Sequence, residues 1–163
     1  MSTKNTTASR VGIDPRGPRF TAGATAVVLG VVLLTAPSAF ATALLGVQAV
    51  LFAAGAVLGV QRTPLGWLFR VTVRPRLAPP SELEDAAPPR FAQGVGLVFA
   101  VAGVVGFAAG LDLLGLVATG FALAAALLNA VFGLCLGCEM YLLIRRVSTG
   151  SAGERDITAV TTN

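Results

Sequence analysis

The chain has 163 residues, of which 55% are hydrophobic and only 12% are charged, with a formal net charge of +4 at pH 7. Soluble globular domains carry about twice that fraction of charged residues, so the composition excludes an ordinary soluble domain and indicates an integral membrane protein. The first long apolar run begins only at Phe20 and is not followed by a small-residue cleavage site. We therefore do not expect a cleaved signal peptide.

Four apolar stretches are long enough to cross a bilayer, which needs about 20 apolar residues. They cover residues 20–36, 39–60, 91–109 and 114–144. The fourth would extend about 48 Å as one helix, so it must tilt, fray or project beyond the membrane. We predict an all-α membrane protein with four transmembrane helices.

The basic residues indicate the orientation, because the cytoplasmic segments of membrane proteins collect Lys and Arg. All twelve lie before the first span, between the second and third spans, or after the fourth. The two opposite turns, at residues 37–38 and 110–113, carry only Asp112. The abundance of arginine, alanine and glycine is typical of a high-GC bacterial coding sequence. We predict a multi-pass protein of the bacterial cytoplasmic (inner) membrane with both termini cytoplasmic.

The segments outside the spans are predicted to be interfacial or disordered. Residues 61–90 combine aromatic and basic side chains with a proline-rich acidic turn, which is typical of a cytoplasmic loop lying on anionic headgroups. Docking of a soluble partner is the alternative for this loop. Residues 1–13 and 148–163 are short and polar, so we expect disordered cytoplasmic tails on either side of a membrane domain of residues 14–147.

A short repeat suggests an internal duplication. The string PRFTAG at 18–23 opens the first span, and PRFAQG at 89–94 opens the third, 71 residues later. Two copies of a helical hairpin would be parallel repeats, because each contains an even number of crossings. Proline, arginine and an aromatic residue are each common at such helix starts, so chance similarity is the alternative.

Small and polar residues within the spans predict how the helices pack. Glycines spaced four apart let helix backbones approach closely, and three such pairs occur: Gly55 with Gly59, Gly106 with Gly110, and Gly133 with Gly137. On a continuous fourth helix, the last pair would lie on the face opposite the cysteines. Amides in the spans are expected to bond between helices or to line a permeation path; they are Gln48, Gln93 and Asn129.

The string FGLCLGCEMYLLIRR at 132–146 contains both cysteines, Cys135 and Cys138, followed directly by Glu139. On a regular helix, Cβ atoms three residues apart are about 5 to 6 Å from each other, whereas a disulfide needs about 3.5 to 4.5 Å. A regular helix would therefore hold two neighbouring thiols, and the cytoplasmic side also favours reduction. Gly137 would permit a distortion that allows a disulfide. Glu139 is placed to accept a thiol proton, although its charge disfavours ionisation of the thiol.

Other site chemistries receive less support. The chain has no His, and two thiolates with one carboxylate leave tetrahedral zinc short of ligands unless the protein dimerises, so we predict no metal site. The sequence leaves open whether the protein forms a homo-oligomer, and it identifies no cofactor. The spans contain no Lys or Arg and no convincing ion pair, which argues against an ion-coupled pump. The basic residues are explained by topology, so no nucleic-acid partner is expected.

Three strings carry a resemblance to a known family: IDPRGPRF at 13–20, RPRLAPPSELEDAAPPRFAQGVGLVFA at 74–100 and NAVFGLCLGCEMYLLIRR at 129–146. They resemble the bacterial integral membrane proteins grouped as domain of unknown function 4395, over residues 11–147. The resemblance implies a four-helix inner-membrane protein without an assigned reaction. It also implies sulfur or thiol chemistry at Cys135 and Cys138, because some members are thought to be encoded near sulfurtransferases and thioredoxin-like proteins.

Three functional hypotheses follow. In the first, the thiol pair accepts sulfane sulfur or electrons from a cytoplasmic sulfurtransferase or thioredoxin-like protein. In the second, the pair cycles between dithiol and disulfide against a quinone, which resembles the four-helix quinone-linked disulfide enzymes, although those place their cysteines toward the oxidising face. In the third, the chain is a structural membrane protein whose cysteines are inert and fill a helix interface.

The charge distribution generates a topology prediction. Reporter fusions at residues 37 and 111 should report the outer face, and fusions at residues 78 and 150 the cytoplasm, because the basic residues lie only in the segments assigned to the inner side. Alkaline phosphatase and green fluorescent protein fusions measure the two outcomes. An outer signal at residue 78 would overturn the arrangement, including the cytoplasmic position of the cysteines.

Overall fold

The computed structural model describes residues 12–80 and 83–160, with side chains up to Ser148. Four helices in this part of the chain are long and apolar enough to cross a membrane: Arg16–Thr35, Ala39–Leu58, Ala87–Ala108 and Asp112–Phe132. The predicted all-α class with four membrane-spanning helices is confirmed. We label the helices α1 (Arg16–Thr35), α2 (Ala39–Leu58), α3 (Pro64–Leu68), α4 (Ala87–Ala108), α5 (Asp112–Leu127) and α6 (Leu136–Val160).

The four long helices form a closed bundle. Each packs against two others, in the cyclic order α1, α2, α4, α5. Buried side chains recur every three or four residues, as Leu29 and Val32 do on α1, so each helix turns one stripe toward the core. Large apolar side chains on the outer faces are exposed, with Leu34 at 87% and Val27 at 69%. Such a surface suits surrounding lipid rather than water.

The amide of Gln48 bonds between helices. It is 2% exposed, and its Nε2 donates to Thr25 Oγ1 on α1 at 3.5 Å. Its Oε1 is buried without a hydrogen-bond partner. The other two predicted amides, Gln93 and Asn129, lie elsewhere, at the end of the bundle that holds the cysteines.

The fourth span is shorter than the sequence indicated. The apolar run to Ile144 does not form one helix: after α5 a π-helical turn covers Leu128–Phe132, and Gly133 takes a left-handed conformation with φ of 71°. A left-handed residue ends a helix, and glycine adopts it without the Cβ penalty that other residues meet. The helix therefore stops at Gly133, and α6 begins three residues later at Leu136.

Residues between and beyond the spans have short ordered elements. The loop after α2 contains a 3-10 turn at Val60–Arg62, α3, a π-helical turn at Phe69–Val73 and a 3-10 turn at Arg74–Arg76. Strand β1 (Gly12–Ile13) pairs antiparallel with β2 (Glu84–Asp85). The sequence predicted a disordered tail from residue 148, whereas the helical backbone of α6 continues to Val160. The predicted tail at residues 1–11 and residues 161–163 lie outside the described residues.

Equivalent residues of the proposed duplication occupy equivalent places. Asp14 Oδ1 accepts from Arg16 N–H at 3.0 Å at the start of α1, and Asp85 Oδ1, 71 residues later, accepts from Ala87 N–H at 3.0 Å at the start of α4. The two strands pair in the register Gly12 with Asp85 and Ile13 with Glu84. Ile13 and Glu84 are themselves 71 residues apart, so this pair relates the two copies to each other.

The arginines of the two PRF strings also match. The Arg19 guanidinium donates to Val131 O at 3.3 Å, at the end of the fourth span. That of Arg90 donates to Val57 O at 2.6 Å and to Ala56 O at 3.1 Å, at the end of α2. Each arginine thus caps the second helix of the other copy, where carbonyls lack helical partners. A parallel duplication predicts this exchange.

The three predicted glycine pairs divide into two roles. A Cβ on Gly55 would lie 2.8 Å from Gln93, one on Gly106 would lie 2.6 Å from Gly115 N, and one on Gly137 would lie 2.6 Å from Ala92 Cβ. These three glycines permit close packing. The other member of each pair has a positive φ and ends a helix: Gly59, Gly110 and Gly133.

Because the helix breaks at Gly133, the prediction that Gly133 and Gly137 share one helical face was wrong. The helical phase is lost between them, so the two glycines act through different physical effects. Gly137 gives α6 a close approach to α4, and Gly133 gives the backbone the left-handed residue that ends the helix.

This division predicts a graded response to alanine. Gly137→Ala should lower the free energy of unfolding by about 1–3 kcal/mol, because its Cβ would overlap Ala92, and Gly133→Ala by about 1–2 kcal/mol, because a side chain disfavours the left-handed conformation. Gly120→Ala is the matched control: nothing lies within 4 Å of its added Cβ. Unfolding of the purified protein in mixed micelles measures all three. Equal losses of unfolding free energy in the Gly120→Ala and Gly137→Ala variants would contradict the close packing of α6 on α4.

Candidate functional site

The two cysteines follow the fourth span directly and form a disulfide. Cys135 and Cys138 have Cα atoms 5.1 Å apart, within the range that a disulfide spans. The sequence left open two neighbouring thiols on a regular helix or a disulfide after a distortion, and the structure has the disulfide because Cys135 is not inside a helix. It precedes the first residue of α6, and its carbonyl accepts the first hydrogen bond of that helix, from Glu139 N–H at 3.0 Å.

The Cys135 sulfur lies beside the N–H groups at the start of α6. Cys138 N–H donates to Cys135 Sγ at 3.3 Å. Unpaired N–H groups in the first turn of a helix carry a partial positive charge and favour a neighbouring anion. The helix start thus favours negative charge on this sulfur, an effect opposite to that of the Glu139 carboxylate.

A pocket of about 380 Å³ opens beside the disulfide, at the end of the bundle where α1 and α4 begin. Both cysteines line it, together with Glu139. Its other polar walls come from distant parts of the chain, namely Arg19 at the start of α1 and the β2 residues Glu84 and Asp85. We call this space the polar pocket. It brings one guanidinium and three carboxyl groups to the cysteine pair.

A second cavity, of about 230 Å³, lies between the helices on the membrane side of the disulfide. Its lining comes from α1, α2, α4, α5 and the start of α6, and it is mostly apolar, with three phenylalanines: Phe52, Phe99 and Phe121. We call this space the apolar cavity. Cys135 lines it, and Cys138 does not.

The two spaces share a thin wall of side chains. Five residues line both of them: Ala22, Ala92, Gln93, Asn129 and Cys135. Three of these have amide or sulfur side chains, and the other two are alanines, whose small side chains leave space on both sides of the wall. The Cys135 side chain therefore lies where a polar pocket at the bundle end meets an apolar cavity between the spans.

Helix α6 closes one side of the site by packing on α4. Gly137 lies against Ala92, and the rings of Tyr141 and Phe91 have centroids 5.7 Å apart. The first copy has a similar contact, since the rings of Phe20 and Phe69 are also 5.7 Å apart. In each copy, one aromatic contact at this end of the bundle thus fixes the segment that follows the second helix.

All three site residues that the sequence predicted lie together in the polar pocket: Cys135, Cys138 and Glu139. Arg19 was not predicted as a neighbour, nor were the separate surroundings of the two sulfurs. Glycine on both sides of Cys135, within an apolar run too long for one span, was the available signal for a helix break. In the part of the chain that the structure describes, no group of three or more His, Cys, Asp or Glu side chains is arranged to hold a metal ion.

Comparison with known proteins gives one match. No curated protein and no solved structure matches the chain. The family model described as "Domain of unknown function (DUF4395)" matches residues 13–146, which include all four spans and the disulfide. The chain therefore belongs to the protein family defined by domain of unknown function 4395.

Proposed function

We propose that the chain is a membrane thiol–disulfide exchange protein whose Cys135–Cys138 pair accepts electrons from a soluble dithiol protein of the thioredoxin-like class. One observation carries the proposal: both cysteines of the disulfide line the polar pocket, and the sulfur of one of them accepts a hydrogen bond at the start of a helix. A disulfide that only braces the fold needs neither a pocket nor an adjacent anion-stabilising helix start.

The surroundings of the two sulfurs assign the direction of attack. A thiolate of the soluble partner enters the polar pocket and attacks Cys138 Sγ, forming a mixed disulfide. The Cys135 sulfur leaves with the electron pair of the broken S–S bond, and Cys138 N–H and the start of α6 stabilise its negative charge. The partner's second thiol then attacks its own sulfur in the mixed disulfide. The partner ends as a disulfide, and the chain holds both cysteines reduced.

The basic residues support a cytoplasmic position for this exchange. The loop before β2 and the starts of α1 and α4 lie at the same end of the bundle as the disulfide, and they carry most of the arginines. Arg-rich segments remain on the cytoplasmic side of bacterial inner membranes. Disulfides in that reducing compartment are usually transient and catalytic, which favours a redox role over a structural one.

Glu139 is proposed as the proton acceptor of the exchange. It lies in the first turn of α6, its side chain is exposed and it lines the polar pocket beside Cys138. A partner that arrives as a thiol must lose its proton before it attacks, because the thiolate is the nucleophile. The position of the carboxylate in the polar pocket, next to Cys138 in the chain, supports this role.

Transfer of sulfane sulfur uses the same residues in their reduced form. Cys135 thiolate would accept the outer sulfur of a donor persulfide, and Cys138 would then release it as hydrosulfide while the disulfide forms again. The product distinguishes this route from electron transfer, since the Cys138→Ser variant would retain the mass of one additional sulfur atom on Cys135.

Single serine variants test the direction of exchange. Cys135→Ser should form a lasting mixed disulfide with a thioredoxin-like protein whose second cysteine is replaced by serine and whose first cysteine is activated with 5,5′-dithiobis(2-nitrobenzoate), because neither protein then holds a second thiol that could release the other. Cys138→Ser should form much less, because Cys135 lies in the wall that the polar pocket shares with the apolar cavity, whereas Cys138 lines the polar pocket alone. Non-reducing gel electrophoresis and intact mass measure the adducts in inverted membrane vesicles.

The double serine variant is the control for adducts at other sites, because it leaves the chain without a cysteine. Equal trapping by both single variants would contradict the assigned roles of the two sulfurs. Failure of the wild-type disulfide to react with any reduced thioredoxin-like protein would contradict the proposed function and favour the hypothesis of inert cysteines.

Replacing the carboxylate tests the proton step. Glu139→Gln should slow reduction of the disulfide by about a hundredfold near neutral pH, the low end of what a positioned base contributes. The loss should shrink at alkaline pH, where the attacking thiol ionises without help. Asp112→Asn, at the opposite end of the bundle, is the matched control and should leave the rate unchanged. If the Glu139→Gln variant is slowed equally at every pH, Glu139 acts structurally.

A further inference from the structure

We propose that the apolar cavity binds the ring of a lipophilic quinone, and that this quinone takes the electron pair from the reduced cysteines. The inference rests on the proposed function, since it supplies the second half of the same cycle. A pair reduced by a soluble dithiol needs a two-electron acceptor before it can react again. The cavity is the place where such an acceptor can reach Cys135 from the membrane.

The position of the cavity favours a ligand that arrives from lipid. It extends along the fourth span from Asn129, near the cysteines, to Phe121, eight residues earlier, which is about 12 Å along a helix. Phe121 is 62% exposed and Met140 is 41% exposed, although both line the cavity. The cavity therefore reaches the outer, lipid-facing surface of the bundle. Apolar molecules dissolved in the bilayer can enter there without crossing water.

The lining matches a flat ring that carries carbonyl groups. Phe99 and Phe121 have ring centroids 6.1 Å apart and offer aromatic faces at the cavity edge. Gln93 and Asn129 are the amides among its lining residues, and they lie at the cysteine end. Within the described part of the chain, neither side-chain amide has a hydrogen-bond partner. An amide N–H₂ is a donor for a quinone carbonyl, and ligand sites combine mostly apolar walls with a few such groups.

The two sulfurs have different surroundings, which separates the two half-cycles. Cys138 lines only the polar pocket, whereas Cys135 lines the cavity as well. The same sulfur that leaves as a thiolate in the first half-cycle thus faces the proposed acceptor in the second. Each half-cycle takes place on its own side of the wall, so the soluble dithiol and the quinone never need to meet.

The electron and proton balance closes. The Cys135 thiolate adds to a ring carbon of the quinone, and the Cys138 sulfur attacks the Cys135 sulfur. The new S–S bond forms as the S–C bond breaks, and the bonding electrons leave with the ring. The quinone is reduced to the quinol with two electrons and the two protons of the dithiol, and the Cys135–Cys138 disulfide is restored.

The test follows reoxidation of the prereduced full-length protein in lipid nanodiscs, without oxygen, by decylubiquinone. The wild type should convert one quinone to quinol per disulfide formed. Ala126→Phe should slow this step at least about tenfold, because the larger side chain fills a cavity into which Ala126 now faces. Ala124→Phe, an exposed position on the same helix outside both spaces, is the matched control and should be unchanged.

A photoreactive azidoquinone gives a second readout that does not depend on the variants. Irradiation should label peptides that contain Phe99 or Phe121, and excess decylubiquinone should prevent the labelling. Reduction by a thioredoxin-like protein, measured in parallel, should be the same in Ala126→Phe and the wild type. That equality shows that the variant is folded.

The outcomes separate the two proposals. No quinone reduction by a wild type that exchanges with soluble dithiols overturns the quinone site and leaves the proposed function standing. Quinone reduction with labelling elsewhere, or with equal rates in Ala124→Phe and Ala126→Phe, overturns the cavity as its place. Failure of soluble dithiol exchange contradicts the proposed function, whatever the quinone result.

Discussion

The left-handed conformation of Gly133 fixes where the last span ends, and the geometry of the disulfide depends on it. A helix that continued through residue 133 would carry both cysteines on its side, with no free N–H groups beside them. The break instead leaves Cys135 just before a new helix, with the Cys138 N–H of its first turn on the Cys135 sulfur. Arg19 supports the break from α1, because its guanidinium donates to Val131 O, one of the carbonyls that the ending helix leaves without a partner.

In both copies of the fold, a glycine with a positive φ ends the second helix, but the segments that follow the two glycines differ. Gly59 ends α2 with a φ of 92°, as Gly133 ends the fourth span, and a helix follows each glycine within a few residues. Counting 71 residues back from the cysteines gives Pro64 in place of Cys135 and Trp67 in place of Cys138. In the first copy, Thr63 caps the short helix with its hydroxyl, a structural role that needs no thiol. The fold is thus repeated, whereas the reactive pair occurs once.

Hydropathy and charge were sufficient to predict the four spans, because lipid selects for long apolar runs whatever their partners are. The helix starts were less accurate: α4 begins at Ala87 rather than near Phe91, since two prolines in a first turn cost no hydrogen bonds. The break at Gly133 was hidden because apolar residues flank it on both sides. Arg19 was predicted only as a topological charge, since its contact with a residue 112 positions away follows from the packing of the bundle. The two spaces beside Cys135 arise from small side chains on four helices, α1, α4, α5 and α6, whose packing cannot be read from a single sequence.

The order in which the chain is synthesised determines when the shared wall between the two spaces can form. Ala22 belongs to α1, Ala92 and Gln93 to α4, and Asn129 to the end of the fourth span, whereas Cys135 follows them all. Because membrane insertion proceeds from the N-terminus during synthesis, Cys135 leaves the ribosome after every other residue of the wall. The wall is complete only when α6 packs on α4. Insertion of the second hairpin and completion of the surroundings of the disulfide are therefore one event, and a half-inserted chain carries its cysteines without the two spaces that adjoin them in the folded bundle.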